Sequence, residues 1–262
     1  MDPALRAAAT GMMAQQTRTD VISNNIANVN TPGFKRSRAH FEDLLYQTIQ
    51  GQQVLGDPNA QTAPAIQVGR GTRLAGVMRM HDQGTANQTS RNLDVMIEGN
   101  GFFQLENGKG DTGYTRDGSF QISDKGLLVT SDGWALQPPI KIPHDASNIT
   151  ISTNGVVSVT RGKDIESTQV GTIDLVAFAN PSGLLSLGRN MYQPSASSGQ
   201  PIIGQPGDAG LGTLQQGSLE GSNVEIVQEM VEMIDAMRAY EINSKAIKNA
   251  DEMGQMANNL SR

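Results

Sequence analysis

The sequence predicts an α+β fold in which N- and C-terminal helices pair as a coiled coil, with an inserted antiparallel all-β domain and an extended connecting arm. Three observations carry that expectation. Apolar residues recur at helical spacing at both ends of the chain; short period-two runs alternate with turn residues between them; and the two ends carry opposite charge. The corresponding division is residues 1–30 with 223–262 as a discontinuous helical domain, 31–70 with 205–222 as a connecting arm region, and 71–204 as a β-rich outer domain.

The N-terminal helix begins at Asp2-Pro3, an N-cap followed by proline at the first helical position, where its missing N–H costs nothing. A seven-residue spacing then runs through Leu5, Met12, Thr19 and Ile26, with Ala8, Gln15, Ile22 and Val29 offset by three. Asn28 through Gly33 ends it, because Pro32 disfavours helix at Thr31 and Gly33 supplies a free φ. At the far end, Ser222 and Glu225 read as a capping box for a helix over 223–262, with Ile226, Met230, Met233, Met237, Tyr240, Ser244 and Ile247 alternating by four and three. Val227, Val231 and Ile234 widen that stripe.

Between the helices, Leu93–Ile97, Phe102–Leu105, Ser119–Ile122 and Gly155–Val159 read as antiparallel strands. Asp117-Gly118, Asp124-Lys125-Gly126, Asp132-Gly133 and Asn154-Gly155 supply the turns. Phe41, Leu44, Leu45 and Ile49 have helical spacing over a short segment, and the polar, Gly/Pro/Gln-rich segments 51–65 and 193–217 read as linkers or extended arms. Only 37% of residues are hydrophobic and 4% aromatic, so the core is expected to be thin or divided.

Neither helix can shelter its apolar face alone, and pairing is favoured by charge. Residues 1–38 hold five basic against two acidic side chains (+3), and residues from 223 onward hold four basic against seven acidic (−3). One such pair is a poor core, with Ala8, Gln15 and Thr19 where a stable seam wants Leu or Ile, so packing against further copies of the same pair is expected. The alternative is a helical hairpin packed on the β domain.

Chemistry is hard to find. The net charge of −6 argues against nucleic acid, and no stretch approaches the length of a membrane span. The absence of cysteine removes disulfides and thiolate chemistry. His40, His81 and His144 stand in no metal-ligand spacing and read as surface or turn residues. No serine-hydrolase elbow and no P-loop occurs, and Gly69-Arg70-Gly71 and Gly99-Asn100-Gly101 read as turns or strand entries. The basic run Lys35-Arg36-Ser37-Arg38 offers charge for a phosphate or an acidic surface, but three charges after a helix stop read more often as a solvated edge or a partner of the acidic helix. No catalytic, cofactor-binding or metal-ligating residue is assigned.

The string Val21-Ile22-Ser23-Asn24-Asn25-Ile26-Ala27-Asn28-Val29-Asn30-Thr31-Pro32-Gly33-Phe34-Lys35-Arg36 resembles the N-terminal signature of the flagellar axial proteins, the rod and hook family. Phe41–Ile49, Gly101-Phe102-Phe103, Tyr114–Phe120 and Arg238–Ala246 extend the resemblance, which is nearest to the distal-rod branch of that family, with proximal-rod and hook-type branches as alternatives. It implies a structural subunit, not an enzyme, that polymerises helically into a rigid hollow shaft spanning the periplasm. The implied interface in the helical layer comprises Leu5, Met12, Ile22, Asn24, Asn25, Ile26, Asn28, Val29, Ile226, Met230, Met233, Ile234, Met237, Tyr240 and Ile247; the connecting arm comprises Phe34, Phe41, Leu44, Leu45, Tyr46 and Ile49. The implied partners are further copies, proximal rod proteins, hook or junction proteins, the surrounding rings and the flagellar type III export apparatus. Met1–Arg6 carries no recognisable cleavable signal, in keeping with such a route. A secreted module using its β domain to bind a glycan or cell-wall ligand is the second reading, and a hydrolase a weaker third.

Overall fold

The computed structural model describes residues 3–50, 65–161 and 167–260, so the Asp2 cap and most of the 51–65 segment lie outside the described residues. The chain forms two compact units. One contains residues 1–26, 37–78 and 226–262, the other residues 27–36 and 79–225.

The first unit holds helix α1 (Pro3–Ala27), helix α2 (Ile226–Leu260) and two strand pairs. Strand Ser37–Asp43 pairs with Thr72–Arg79, and Gln47–Gln50 pairs with Ile66–Val68. The helix suggested by Phe41, Leu44, Leu45 and Ile49 is therefore absent: the segment is two strands. A helix here would be too short to sustain itself, whereas strand pairing satisfies its backbone, as in the Leu44 N–H bonded to Gly71 O at 2.8 Å.

The capping box at Ser222 is also overruled. Helix α2 starts at Ile226, and Ser222 Oγ instead accepts the Val224 N–H at 3.3 Å. Asn223, inside the expected helix, has its side chain engaged elsewhere: Oδ1 accepts Arg36 N–H at 2.7 Å while Nδ2 donates to Met80 O at 2.9 Å. Those tertiary bonds outweigh one local cap.

The second unit is built on antiparallel pairing. Its main sheet runs in the order 185–188, 191–193, 112–115, 102–106, 135–136, 128–129, 121–122; 135–136 pairs with Leu105 and Glu106 only, 175–177 pairs with Phe102 and Phe103, and 202–204 lies beyond 175–177. A three-stranded sheet of 146–151, 156–161 and 167–172 and the pairs 95–98 with 213–216 and 86–88 with 218–220 complete it. Three of the four expected turns close hairpins; Asp117-Gly118 instead links 112–115 to 121–122, strands that do not pair with each other. Gly126, Gly133 and Gly155, at φ +77°, +81° and +83°, close the hairpins after Asp124-Lys125, Asp132 and Asn154. Segment 193–217 is no linker: it contributes Ile202–Gly204 and Thr213–Gln216 to the sheets, strands too short for a period-two signal.

The core is divided, as the low apolar fraction implies. Phe103, Leu105, Phe120, Leu136, Val157, Val159, Leu175 and Leu214 belong to one buried cluster, and Phe102, Tyr114, Val176, Phe178 and Tyr192 to another. Adjacent residues Phe102 and Phe103, like Leu175 and Val176, point to opposite faces of one sheet, so these strands are apolar on both sides. Phe103 packs edge-on against Phe120 at 5.1 Å, and Phe102 against Tyr192 at 5.8 Å. Replacing Phe103 with Ala should lower unfolding free energy by about 3–5 kcal/mol through transfer and cavity terms; denaturant titration checks this, and a loss below about 1 kcal/mol would show that the site collapses freely.

Candidate functional site: a polar helix seam, an open apolar flank and a buried ionic cluster

Helices α1 and α2 meet through polar and small residues. A Cβ built on Gly11 would lie 3.0 Å from Asn243 Nδ2, Arg18 Nη2 lies 3.5 Å from Glu232 Oε2, and Asn25 Nδ2 donates to Glu229 Oε2 at 3.0 Å. The α1 members are seven residues apart and their partners run backwards along α2, so the helices are antiparallel along this seam. On α2, Glu229, Ala236 and Ala250 are buried at spacings of seven and fourteen. On α1, Ala8, Ala14, Ile22 and Asn25 are buried.

Asn25 does more than join the helices. Its Nδ2 also donates to Ser37 O, and its Oδ1 accepts Ser37 N–H, both at 2.9 Å, so one amide closes the helix exit onto the first strand. Asn28 acts locally, its Oδ1 accepting from Thr31 Oγ1 at 3.2 Å, while Asn24 is exposed.

The apolar stripe expected to seal the pair is largely outside it. Ile226, Met230, Ile234, Met237 and Tyr240 are each roughly half exposed, between 44% and 54%, and Val227 reaches 71%. Met233 and Ile247 are half-buried, as are Leu5, Met12, Ile26 and Val29. A helix that covers Glu, Asn and Ala while leaving Met, Ile and Val in water has an unfilled apolar face. The arm residues divide: Leu45, Tyr46 and Ile49 are exposed, Phe41 and Leu44 half-buried, and Phe34 is buried in the β unit under the Arg79 guanidinium, 5.8 Å from its ring. Gly71, at φ +108°, lies against α1 so closely that a Cβ would overlap Thr10 Oγ1.

The β unit contains an ionic cluster that sequence reasoning missed. Lys35, read as part of a solvated edge, is fully buried: Nζ donates to Glu220 Oε1 and to Asp82 O, both at 2.6 Å. Glu220, equally buried, also accepts the Gly84 N–H at 2.9 Å and Arg116 Nη1 at 3.4 Å. Arg116 Nη2 donates to Gly99 O at 2.8 Å, with its guanidinium over the Phe102 ring. Burial pulls the Lys35 ammonium below its usual range, and Glu220 opposes that shift. Nothing in composition or spacing marks Glu220, which stands alone in a polar stretch 185 residues from its partner.

His81 belongs to the same cluster rather than to the surface. Its ring packs edge-on against Phe102 and Tyr192 at 5.5 and 5.4 Å. Burial, reinforced by Lys35, Arg116 and Arg79, lowers its pKa to about 4, and Nδ1 has no hydrogen-bond partner among the described residues, as suits a neutral ring. His40 and His144 are exposed.

Three family models match the chain: "Flagella basal body rod protein" over residues 5–35, "Flagellar hook protein FlgE/F/G D1 domain" over 96–159, and "Flagellar basal body rod FlgEFG protein C-terminal" over 215–260. The chain is 48% identical over 261 residues to the flagellar basal-body rod protein FlgG of Borreliella burgdorferi, covering 99% of this chain and 98% of that one. It is 46% identical over 255 residues to FlgG of Buchnera aphidicola (97% and 98% covered), and 42% identical over 260 residues to FlgG of Bacillus subtilis (97% of each).

Glu220→Gln should cost about 3–5 kcal/mol, because it strands two buried cations, whereas Glu220→Leu with Lys35→Met should cost clearly less than the sum of the single changes. Chemical denaturation of the four proteins in that cycle decides it; additive losses would mean the pair is not coupled. For His81, the unfolded chain takes up a proton near pH 6.5 and the folded chain only near 4. Its contribution is therefore intact above pH 6.5 and is lost as pH falls towards about 4, by on the order of 3 kcal/mol. Stability curves of wild type and His81→Gln should diverge across that window, and parallel curves would exclude the residue as the cause.

Proposed function

Because the chain belongs to the family of flagellar basal-body rod proteins, we propose that it is the structural subunit of the distal rod, polymerising helically into a rigid hollow shaft that transmits torque. The observation that carries this reading is the unfilled apolar flank of α2. At about 25 cal/mol per Å² of apolar surface removed from water, the half-exposed Ile226, Met230, Ile234, Met237 and Tyr240 favour association with further copies.

In this reading the two helices form an antiparallel coiled-coil layer, residues 1–30 with 223–262, whose polar seam fixes register while the flank supplies association energy. Residues 31–70 with 205–222 serve as the connecting arm, presenting exposed Leu45, Tyr46 and Ile49 to neighbours. Residues 71–204 form the outer surface facing the rings. Rigidity is the function: each subunit touches several others along long helices, so bending must break many contacts together. Proximal rod and hook-side proteins are the partners at the two ends, and export proceeds through the type III apparatus. No step requires a cofactor, and none of the described helices is long and apolar enough to cross a membrane.

Concentrated purified protein should form tubes visible by electron microscopy. Met230→Glu combined with Ile234→Glu should abolish them while leaving the unfolding free energy within about 0.5 kcal/mol, as befits exposed positions. Tubes formed normally by that variant would remove the flank from the assembly interface.

A further inference from the structure

Three asparagines of the β unit are followed by glycine: Asn100-Gly101, Asn107-Gly108 and Asn154-Gly155. In such a pair the glycine amide nitrogen can attack the asparagine Cγ, because no side chain beside that nitrogen obstructs the approach. The attack closes a five-membered succinimide ring and requires the peptide plane between the two residues to turn. What surrounds that plane therefore decides which of three chemically alike pairs reacts.

Two of the planes are held. The Gly155 N–H donates to Ser152 O at 3.0 Å, and the Gly155 carbonyl accepts the Ile173 N–H at 2.8 Å. Gly155 is also buried at φ +83°, where a Cβ would lie 2.4 Å from Ile173 O. Turning its plane would break a hairpin. Asn100 O accepts the Gly212 N–H at 2.7 Å, and the buried Gly101 packs against Leu175 and Leu211.

Asn107-Gly108 lies in the turn between strands 102–106 and 112–115. Gly108 is exposed, with no atom within 4 Å of where a Cβ would stand, and its N–H has no hydrogen-bond partner among the described residues. The side-chain amide of Asn107 likewise makes no hydrogen bond among the described residues. One bond restrains the plane, from the Gly110 N–H to Asn107 O at 2.8 Å. Gly110 is itself exposed, so water can replace it.

We propose that Asn107 is a site of spontaneous covalent modification, converted in the folded chain through a succinimide with Gly108 to aspartate and isoaspartate. The Gly108 nitrogen loses its proton and bonds to Asn107 Cγ, and the side-chain nitrogen leaves as ammonia. Water then opens the ring at either carbonyl. One opening gives aspartate; the other routes the backbone through Cγ, adding one carbon to the main chain. Water is the only co-reactant, and nothing is oxidised or reduced. Both products place a new negative charge between Glu106 and Asp111. The isoaspartyl product also lengthens the chain at the rung where the Asn107 N–H meets Asp111 O at 2.9 Å, next to the Glu106–Thr112 pair. The hairpin is therefore expected to open from its tip.

The test is to age the full-length protein at neutral pH and physiological temperature, folded and in urea, and follow each asparagine by peptide mass spectrometry after acidic digestion. Electron-transfer fragmentation separates isoaspartate from aspartate. In the folded protein Asn107 should gain one dalton about tenfold faster than Asn100 or Asn154, whereas in urea the three rates should converge. Gly108→Ala, whose added Cβ meets nothing, should slow the reaction at 107 about tenfold in the folded protein and leave the other two sites unchanged. Equal rates at the three sites of the folded protein, an unmodified Asn107, or a Gly108→Ala variant that reacts as fast as the parent would each overturn the proposal.

Discussion

The carboxylate of Glu220 is the constraint around which the β unit is organised. It is fully buried and ionisable, and burying such a group without partners costs several kcal/mol, so its surroundings must be built to satisfy it. Three separate segments do so: Lys35 from 33–36, Gly84 from 79–84 and Arg116 from the end of a core strand. Two of these, and the 220–225 segment itself, are where the chain passes between its two units. Backbone bonds follow the same path, with Gly33 N–H donating to Glu220 O at 2.8 Å and Met80 N–H to Arg36 O at 3.0 Å. These segments of the β unit are thus tied to one another by charge and by backbone together. Apolar residues of similar volume could give equal stability there, but a greasy contact has no preferred register, whereas a carboxylate with three donors to place does.

The same preference for register over strength governs the helices. A seam of Gly11, Arg18 and Asn25 against Asn243, Glu232 and Glu229 gives little burial, and each polar pair is satisfied in only one alignment. Strength is left on the outside, in the Ile, Met and Val residues of the α2 flank. Such a division suits a subunit that must first find its internal alignment and then gain most of its stability from neighbours. A helix pair with Leu along the seam would reverse it, giving a stable monomer with a polar exterior and no reason to associate.

His81 shows how a single cluster couples chemistry to packing. Its ring fills space between Phe102 and Tyr192, and burial, reinforced by the cations that hold Glu220 and cap Tyr192, keeps that ring neutral. Arg79 serves both sides, its guanidinium lying over Tyr192 at 5.4 Å while Nη1 donates to the Tyr192 hydroxyl at 3.3 Å. The second core cluster is therefore a mixed aromatic and cationic core, which explains how a chain with few aromatic residues closes both faces of its sheet.

Periodicity and turn chemistry were enough, in the sequence alone, to establish two terminal helices, an antiparallel middle and hairpins at Gly126, Gly133 and Gly155, because those signals are local and repeat over many residues. The opposite charges of the two ends likewise foretold the Arg18–Glu232 contact. Only the tertiary structure decided which face of α2 is covered, where that helix starts, that 37–50 is strand, and that Lys35 is interior. Each of these depends on a partner far away in the chain: Asn223 is drawn out of helix by Arg36 and Met80, and Lys35 is drawn inside by a glutamate 185 residues on. A residue's own neighbours state its propensity, but the free energy of burying a charge or an amide is set by what the fold brings to meet it.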